Sequence, residues 1–421
     1  MSNAAASMDG APRRTTVVIV GGGPAGLVLG LLLARAGVAV TVLEKHADFL
    51  RDFRGDTVHP TTLALLDDLG LFDRFDRIPQ SLIGRVAFPG QDGEDVVLAD
   101  ITRLPLRHRY IAMVPQWDLL DLLAEAAAAE PGFTLLTEHE ATGVVRGGGR
   151  VNGVEYSSPG GTGRILADLT VACDGRWSTV RRAVGFPTQE FPIGFDVWWY
   201  RVDTPGRLGE SLLPRMKGGH GAIAIPREGY VQIAAIGKKG TDAEVRARGI
   251  EALRSQTAEL LPELKDYVGS IASMDDVKHL DVRLDRLRRW HANGVLCIGD
   301  AAHAMSPVGG VGINLAVQDA VATARLLATP LRNGLLAGPR SGRILARVQR
   351  RRMFPTIVIQ GMQRLLHARV VMPALDGATI RPSARLVALL RRVPILTAIP
   401  ALLIGVGPRP ERAPGWARRR P

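Results

Sequence analysis

The sequence predicts an α/β fold in which a parallel sheet is interrupted by a second, mixed sheet and followed by C-terminal helices. A strand, a glycine-rich turn, a helix and a second strand follow one another within residues 15–44. Two later apolar strands end in an acidic residue beside a glycine, at Asp174 and Asp300. Between these two strands, residues 186–280 change to aromatic-rich strands, which is typical of a separate sheet.

The first segment, Thr15–Glu44, has the order of a Rossmann-type dinucleotide-binding unit. Its G-x-G-x-x-G frame falls on Gly21, Gly23 and Gly26. The first glycine permits a tight turn, the second lets a pyrophosphate approach the backbone, and the third packs the helix on the sheet. The helix N-terminus offers N–H groups to the phosphates. Glu44, about 20 residues further on, ends the second strand, where a carboxylate accepts from a ribose hydroxyl.

A signal peptide or membrane helix is the alternative for this apolar run, because Arg13 and Arg14 precede it. The glycines and Pro24 interrupt the run, and Arg35 follows soon after. These residues argue against both alternatives. Pro24 suits the first turn of a helix, where its missing N–H costs little.

The net charge of +12 is unevenly distributed. Residues 340–421 hold seventeen arginines against Asp376 and Glu411, so the rest of the chain is slightly acidic. Basicity is thus confined to the C-terminal segment, and we expect no nucleic-acid partner. Cys173 and Cys297 lie in apolar strands, which predicts buried thiols and a reducing, cytoplasmic setting. No cluster of residues has metal-ligand spacing, so we expect no metal.

The three strand-end motifs, in this order around an inserted sheet, resemble those of the flavin-dependent aromatic hydroxylases of the para-hydroxybenzoate hydroxylase type. The resemblance covers about residues 15–330. The GGGPAG turn is similar to that family's ADP site, Cys173-Asp174-Gly175 to its DG motif, and Gly299-Asp300 to its GD motif. Arg54-Gly55 and Gln116 fall where the family places residues beside the flavin and the pyrophosphate.

The resemblance implies a non-covalent FAD. Asp300 would accept from a ribityl or ribose hydroxyl, Arg181 would bind a phosphate, and Arg54 would position nicotinamide and flavin. A helix starting near Gly312–Asn314 would direct N–H groups at the flavin pyrimidine, and His303 would pack nearby without acting as a base. The predicted cofactor-binding residues are Gly21, Gly23, Pro24, Ala25, Gly26, Glu44, Lys45, Arg54, Gln116, Asp174, Arg181, Gly299, Asp300, Pro307, Gly310, Gly312, Ile313 and Asn314.

The expected domain order follows from the same resemblance. A disordered N-terminus precedes an FAD-binding domain in three parts, which is interrupted twice by the substrate domain and followed by an Arg-rich helical segment. The expected bounds are 1–14 for the N-terminus; 15–83, 107–184 and 281–335 for the FAD-binding domain; 84–106 and 185–280 for the substrate domain; and 336–421 for the helical segment.

The implied activity is NAD(P)H-dependent hydroxylation of an aromatic or polyketide-like small molecule. Reduced FAD would react with O₂ to give a C4a-hydroperoxyflavin, and the protein would hold the substrate near it and keep water out. We expect neither a protein nucleophile nor a second Rossmann domain for NAD(P)H. A flavin halogenase, a flavin-dependent reductase of prenyl-type lipids and a non-catalytic flavin-binding protein are the alternatives; the halogenase W-x-W-x-I-P run has no match in residues 191–200.

The substrate would contact the inserted sheet. Strand alternation sends Trp198 and Tyr200 to one face and Trp199 to the other, so only one of these sets can meet the substrate. We predict Trp198 and Tyr200, with ordinary core packing as the alternative.

The C-terminal stretch 385–407 is apolar and basic, and Pro394 and Pro400 interrupt it. Contact with a membrane surface is one interpretation. We favour the other, in which these helices pack against the FAD-binding domain with their arginines solvated. The sequence leaves the oligomeric state open.

Overall fold

The computed structural model describes residues 12–50, 57–89, 95–206, 213–338, 340–378 and 383–419. The strands are β1 (Arg13–Val20), β2 (Val40–Leu43), β3 (Thr57–Val58), β4 (Ser81–Ile83), β5 (Arg85–Pro89), β6 (Asp95–Asp100), β7 (Ile111–Met113), β8 (Phe133–Leu136), β9 (Glu140–Gly147), β10 (Arg150–Ser158), β11 (Gly161–Ala172), β12 (Thr188–Phe191), β13 (Phe195–Asp203), β14 (Leu213–Lys217), β15 (His220–Arg227), β16 (Tyr230–Lys238), β17 (Lys278–Leu280), β18 (Leu284–Leu287), β19 (His291–Ala292) and β20 (Val295–Cys297). The helices are α1 (Pro24–Arg35), α2 (Pro60–Leu69), α3 (Phe72–Asp76), α4 (Gln116–Ala128), α5 (Thr179–Val184), α6 (Asp242–Leu260), α7 (Gly312–Arg332), α8 (Ser341–Leu366), α9 (Met372–Leu375), α10 (Ala384–Arg392) and α11 (Ala398–Gly405).

The main sheet has the strand order β19-β20-β11-β1-β2-β8, with β10 paired to β11 and β9 to β10. Strand β1 runs parallel to both of its neighbours, with Val20 opposite Ala172 of β11 and Leu43 of β2. Strand β20 is also parallel to β11, with Cys297 opposite Ala172. The carboxyl ends of these four strands therefore meet at one edge. Ligands of α/β proteins bind at such an edge, beside the point where the strand order reverses.

Strand β1 lies at the centre of the core because its side chains are apolar on both faces. Val17, Val18 and Ile19 are fully buried. Helix α1 packs against α7 and α4, so helices cover the sheet around this strand. Successive strand side chains point to opposite faces, so the burial of Val17, Val18 and Ile19 shows that both faces of β1 are covered. This explains why the sequence of β1 is a continuous β-branched run rather than an alternating one.

The inserted sheet has the order β14-β15-β16-β13-β17, and its neighbouring strands are antiparallel. Helix α6 covers one face. There the Trp198 indole N–H donates to Asp242 Oδ1 over 2.8 Å, and the Tyr200 hydroxyl lies 2.8 Å from Thr257 Oγ1. The structure therefore corrects the assignment of Trp198 and Tyr200 to the substrate, because both side chains are buried beneath α6. The opposite face carries Trp199.

The C-terminal helices contact the core only in part. Helix α8 packs on α7, whereas α10 and the outer side of α11 remain largely exposed. Among the described residues, no helix is both long and apolar enough to cross a membrane. Cys297 is buried and Cys173 half-buried, and both are free thiols whose pKa is raised by burial.

Candidate functional site

The turn after β1 is compressed between the ends of β2 and β11. Gly21 adopts φ +102°, and its N–H donates to Leu43 O over 2.8 Å. A Cβ at this position would lie 2.5 Å from the carbonyl oxygen of Cys173. Both the conformation and the space therefore require glycine.

The other two glycines of the frame differ in their surroundings. A Cβ on Gly26 would lie 2.0 Å from Gly21 O, so α1 begins in direct contact with the turn. A Cβ on Gly23 would meet no atom within 4 Å. Gly23 is the N-cap of α1, Pro24 follows it, and no described side chain caps the helix. The first N–H groups of α1 thus have no side-chain cap, and Gly23 leaves room beside them for an anion.

Glu44 is buried at the end of β2, directly beside the glycine turn. Its Oε2 accepts from the Gly22 N–H over 2.9 Å, and its Oε1 accepts from the His46 N–H over 3.0 Å. These two bonds fix the orientation of the carboxylate. Lys45, the next residue, is exposed.

Asp174 follows β11 and lies against the same turn, since Gly21 approaches its Cα. Its Oδ2 accepts from Val180 N–H at the start of α5 over 3.2 Å. Its Oδ1 is buried and has no hydrogen-bond partner within the described part of the chain. Burial raises the pKa of this carboxyl. An unpartnered buried acceptor beside an open helix N-terminus fits a ligand that brings its own hydroxyl donor.

Asp300 is half-buried in the turn that follows β20. Its Oδ2 lies 3.4 Å from Arg176 Nη2, and Arg176 also donates to Asp281 O over 3.2 Å. Arg176 is not among the site residues that the sequence motifs predict. Its position directly after Gly175 in the DG motif was the available signal, since that position faces the same sheet edge.

Arg181 does not point at this edge. It is buried, and its guanidinium forms a bidentate pair with Asp285, at 3.2 and 3.3 Å. A third bond goes to Arg176 O. These contacts engage its terminal nitrogens in holding α5 to β18, rather than leaving them free for a phosphate.

The loop before α7 is held by residues from β3 and the start of α2. Thr57 Oγ1 donates to Gly310 O over 2.7 Å, and His59 Nε2 lies 3.0 Å from the same oxygen. Burial lowers the pKa of His59 to about 4, so its imidazole is neutral at neutral pH. On the other side of the loop, His367 Nε2 lies 2.9 Å from Ser306 Oγ, and burial likewise lowers the pKa of His367 to about 4.

Asn314, in the first turn of α7, is buried and its side-chain oxygen accepts from Thr61 and Thr62 over 2.7 and 2.9 Å. The side chain therefore anchors α7 to α2. Gly312 and Ile313 are half-buried at the same helix start, as is Pro307 in the loop before it. The backbone N–H groups of this turn remain available to a ligand.

A buried ionic network lies behind the Gly299 turn. Asp319 Oδ2 accepts from Gly299 N–H over 3.1 Å and lies 2.5 Å from His303 Nε2, while its Oδ1 accepts from Arg352 Nε over 2.8 Å. Burial opposes ionisation, but His303 and Arg352 hold the pKa of Asp319 below its usual range. His303 is thus packed and paired. Glu411 continues the network through Arg351 and Arg352.

The face of the inserted sheet opposite α6 is apolar with a few buried polar groups. Trp199 packs there with Ile223 and with Val308 of the loop before α7. Its indole N–H is buried without a hydrogen-bond partner among described residues, and so is the Nε2 of Gln232. Trp199 lies opposite Ala234 on β16, two residues from Gln232, so both side chains are on one face.

Three of the remaining predicted residues lie at helix starts or in turns. Gln116 is the half-buried first residue of α4, Ala25 is buried in the first turn of α1, and Gly299 adopts φ +57° between α1 and α7. Arg54 lies outside the described residues.

Three observations fit a bound FAD: the open space at Gly23, the oriented carboxylate of Glu44 and the unpartnered Oδ1 of Asp174. The first suits a pyrophosphate and the other two suit sugar hydroxyls. Glu44, Asp174 and Asp300 follow β2, β11 and β20, three strands within the sheet order β20-β11-β1-β2. Such a row of groups along one edge matches an elongated dinucleotide.

Comparisons with known proteins agree with this geometry. A family model described as an FAD binding domain matches residues 14–350. The chain is 34% identical to the 6-methylpretetramide 4-monooxygenase of Streptomyces rimosus, over 93% of this chain and 92% of that protein. It is 28% identical to the para-nitrophenol 4-monooxygenase of Pseudomonas sp. (strain WBC-3), over 76% of this chain and 79% of the relative.

Among solved structures, the anhydrotetracycline hydroxylase OxyS from Streptomyces rimosus superposes with a TM-score of 0.73 at 25% identity, covering 93% of this chain and 76% of that one. The sheet-edge geometry, the family match and these relatives lead to one conclusion: the chain belongs to the family of FAD-dependent aromatic hydroxylases and is a flavoprotein monooxygenase.

Proposed function

We propose that this monooxygenase uses NAD(P)H and O₂ to hydroxylate a polycyclic aromatic molecule of the polyketide type. In the overall reaction NAD(P)H, a proton, O₂ and the substrate become NAD(P)⁺, water and the hydroxylated product. The substrate class is supported by the relative that acts on 6-methylpretetramide, because the match spans nearly the whole of both chains. The observation that carries the cofactor assignment is the buried, unpartnered Oδ1 of Asp174 beside the open N-terminus of α1.

In this proposal the sheet edge holds FAD from end to end. The first turn of α1 binds the pyrophosphate, with Gly23 allowing close approach. Glu44 accepts from the adenosine ribose, while Asp174 and Asp300 accept from hydroxyls nearer the flavin. The N-terminal N–H groups of α7 bind the pyrimidine end of the ring, where a helix dipole stabilises negative charge. When bound, FAD accepts a hydride and activates O₂.

The substrate lies on the Trp199 face of the inserted sheet, in place of the expected contacts with Trp198 and Tyr200. Two N–H groups there, on Trp199 and Gln232, are buried without partners among described residues, and leaving such donors unpaired costs about 1–3 kcal/mol each. A substrate that carries two oxygen substituents on its rings could accept from both. Phenol and quinone oxygens of an aromatic polyketide have this character.

Apolar side chains around Trp199 exclude water from the reacting carbon. They come from the inserted sheet, from β7 and from the loop before α7, and include Ile223, Ile225, Met113 and Val308. Exclusion of water protects the oxygen that is to be transferred until it reaches the substrate ring. We propose that residues 84–106 and 185–280 form this substrate-binding unit.

NAD(P)H would approach the flavin without a Rossmann domain of its own. Arg54 remains our proposal for the group that positions the nicotinamide, from its place in the family resemblance. Arg176 is a second cation at the edge, since it reaches Asp300. Arg181 is not part of this proposal because Asp285 engages it.

The test is a screen of phenolic and polycyclic aromatic compounds for stimulated NADPH and NADH oxidation by the FAD-loaded protein. We expect a tetracyclic phenol to stimulate oxidation and to yield a product carrying one atom from ¹⁸O₂. Stimulated oxidation with hydrogen peroxide as the only oxygen product, across the whole panel, would contradict the proposed substrate class. A protein that binds FAD but is not reduced by either nicotinamide would contradict the proposed reductant.

A further inference from the structure

Helices α10 and α11 leave an apolar ridge on the surface. Five large side chains within residues 389–402 form this ridge, with exposed fractions of 47% for Leu389, 37% for Val393, 60% for Ile395, 65% for Ile399 and 50% for Leu402. Single exposed apolar residues are common on proteins, but a contiguous group marks a surface that meets another apolar phase.

The fold does not need these side chains for its own core. The opposite side of α11 supplies the packing: Ala401 is fully buried, Gly405 lies against Pro60, and Ile404 packs with Met113 and Val311 of the site region. Helix α11 is therefore apolar on both sides, although only one side is covered. A helix that is apolar all round is normally covered all round.

The segment that forms the ridge carries charge of one sign. Residues 383–408 contain Arg385, Arg391 and Arg392 and no acidic residue. A cleft of about 220 Å³ lies next to the ridge, between the β5–β6 hairpin and the segment 390–397. Arg85, Arg103 and Arg391 line it, together with Asp100, which pairs with the first two. Among the described residues that line the cleft, three guanidinium groups face one carboxylate.

We propose that the ridge and its arginines dock on an anionic lipid surface. The five apolar side chains would enter the interface between headgroups and acyl chains, while Arg385 and Arg392 bind lipid phosphates. Pro394 separates α10 from the turn that leads into α11, so the two helices can lie along the surface as short pieces. The ridge is distinct from the strand ends, so lipid docking does not depend on the identity of the substrate.

A second copy of this chain fits the ridge less well. Two ridges meeting about a two-fold axis would bring two sets of arginines together with no acidic residue of the same segment to pair them. An anionic lipid surface offers the opposite charge instead. Charge complementarity therefore favours lipid over self-association.

The experiment is flotation of the FAD-loaded full chain with vesicles of equal parts phosphatidylglycerol and phosphatidylcholine, compared with pure phosphatidylcholine. We expect the protein to float with the anionic vesicles at low salt and to be released at high salt. The double variant Ile395→Asp with Ile399→Asp and the double variant Arg385→Glu with Arg392→Glu should each reduce flotation by about tenfold. Leu335→Asp, another exposed apolar position outside the ridge, is the control and should float like the unchanged protein.

Because all these side chains are exposed, their substitution should leave the fold intact. The absorbance of bound flavin checks this for every variant. Flotation of the ridge variants at the level of the Leu335→Asp control would overturn the proposal. A full chain that does not float with anionic vesicles at low salt would also overturn it. If that chain sediments as a dimer, and the Ile395→Asp and Ile399→Asp changes convert it to a monomer, the ridge serves self-association instead.

Discussion

The Gly22 N–H donates to Glu44 Oε2 over 2.9 Å, and this bond joins the glycine turn after β1 to the end of β2. Replacing Glu44 with alanine removes both the anchor of the turn and the proposed ribose acceptor. We expect Glu44→Ala to weaken FAD binding by about 1–3 kcal/mol, measured by titrating apoprotein with FAD and following flavin fluorescence. Glu155→Ala, an exposed carboxylate on β10, is the control. Equal FAD affinities for Glu44→Ala and Glu155→Ala would contradict the assignment of Glu44 to the FAD site.

Gly23 and Gly26 provide a matched pair of substitutions. A Cβ on Gly23 meets open space, so Gly23→Ala should leave the melting temperature of the apoprotein within a degree or two while reducing FAD affinity about tenfold or more. A Cβ on Gly26 would lie 2.0 Å from Gly21 O, so Gly26→Ala should destabilise the apoprotein itself. Calorimetry and FAD titration on both variants separate the two roles. An unstable Gly23→Ala with normal FAD affinity would contradict the proposed phosphate approach.

Trp199 and Trp198 are neighbours on opposite faces of β13. Trp199→Phe removes the unpartnered indole N–H from the proposed substrate face and should raise KM for an oxygenated aromatic substrate by about tenfold. Trp198→Phe removes a hydrogen bond to Asp242 beneath α6 and should lower the melting temperature with little change in KM. A raised KM for Trp198→Phe together with a lowered melting temperature for Trp199→Phe would instead indicate that the substrate binds on the face covered by α6.

Arg181 and Arg54 should differ in what they affect. Removing Arg181 leaves Asp285 buried without its partner, so Arg181→Ala should reduce the free energy of unfolding by about 3–5 kcal/mol. Arg54→Ala should instead slow anaerobic flavin reduction by NAD(P)H more than it weakens FAD binding. Stopped-flow absorbance and denaturant unfolding measure the two effects. An Arg54→Ala variant that is reduced at the normal rate would end the proposed nicotinamide role.

His59 and His367 predict a loss of stability in acid. Each has an ordinary pKa of 6.5 when unfolded and about 4 in the fold, where burial disfavours the charged ring. As the pH falls from 6.5 toward 4, the unfolded chain takes up protons that the folded chain does not, so the stability present above pH 6.5 is progressively lost. The loss reaches at most about 3 kcal/mol for each histidine. The double variant His59→Gln with His367→Gln should flatten the dependence of melting temperature on pH in this window, and an unchanged slope would assign it to other groups.

The parts of the fold that depend on neighbouring residues could be predicted from the sequence. Strand β1, the glycine turn, α1 and β2 follow one another directly. Their order, and the sheet edge at which β1 and β2 end, could therefore be predicted. The start of α5 also depends on neighbouring residues, because Ser178 caps it by accepting from Arg181 N–H over 3.0 Å.

Contacts between distant residues could not be read in this way. Arg181 appeared suited to a phosphate, but its partner Asp285 is 104 positions away in the sequence. Alternation correctly separated Trp198 from Trp199, yet it could not indicate which face α6 would cover. That choice depends on the packing of the inserted sheet, which local pattern does not encode.

The buried network behind Gly299 also couples the proposed cofactor site to the segment 411–417. Gly299 is held by Asp319, Asp319 by Arg352, and Arg352 contacts Glu411. The carbonyl oxygen of Ala417 accepts from Arg35, at the end of the helix whose other end meets the pyrophosphate in the proposed site. The Gly299 turn and helix α1 are therefore braced by one segment that is distant from both in the sequence. Local detachment of that segment would loosen both supports at once, so flavin retention is linked to its docking.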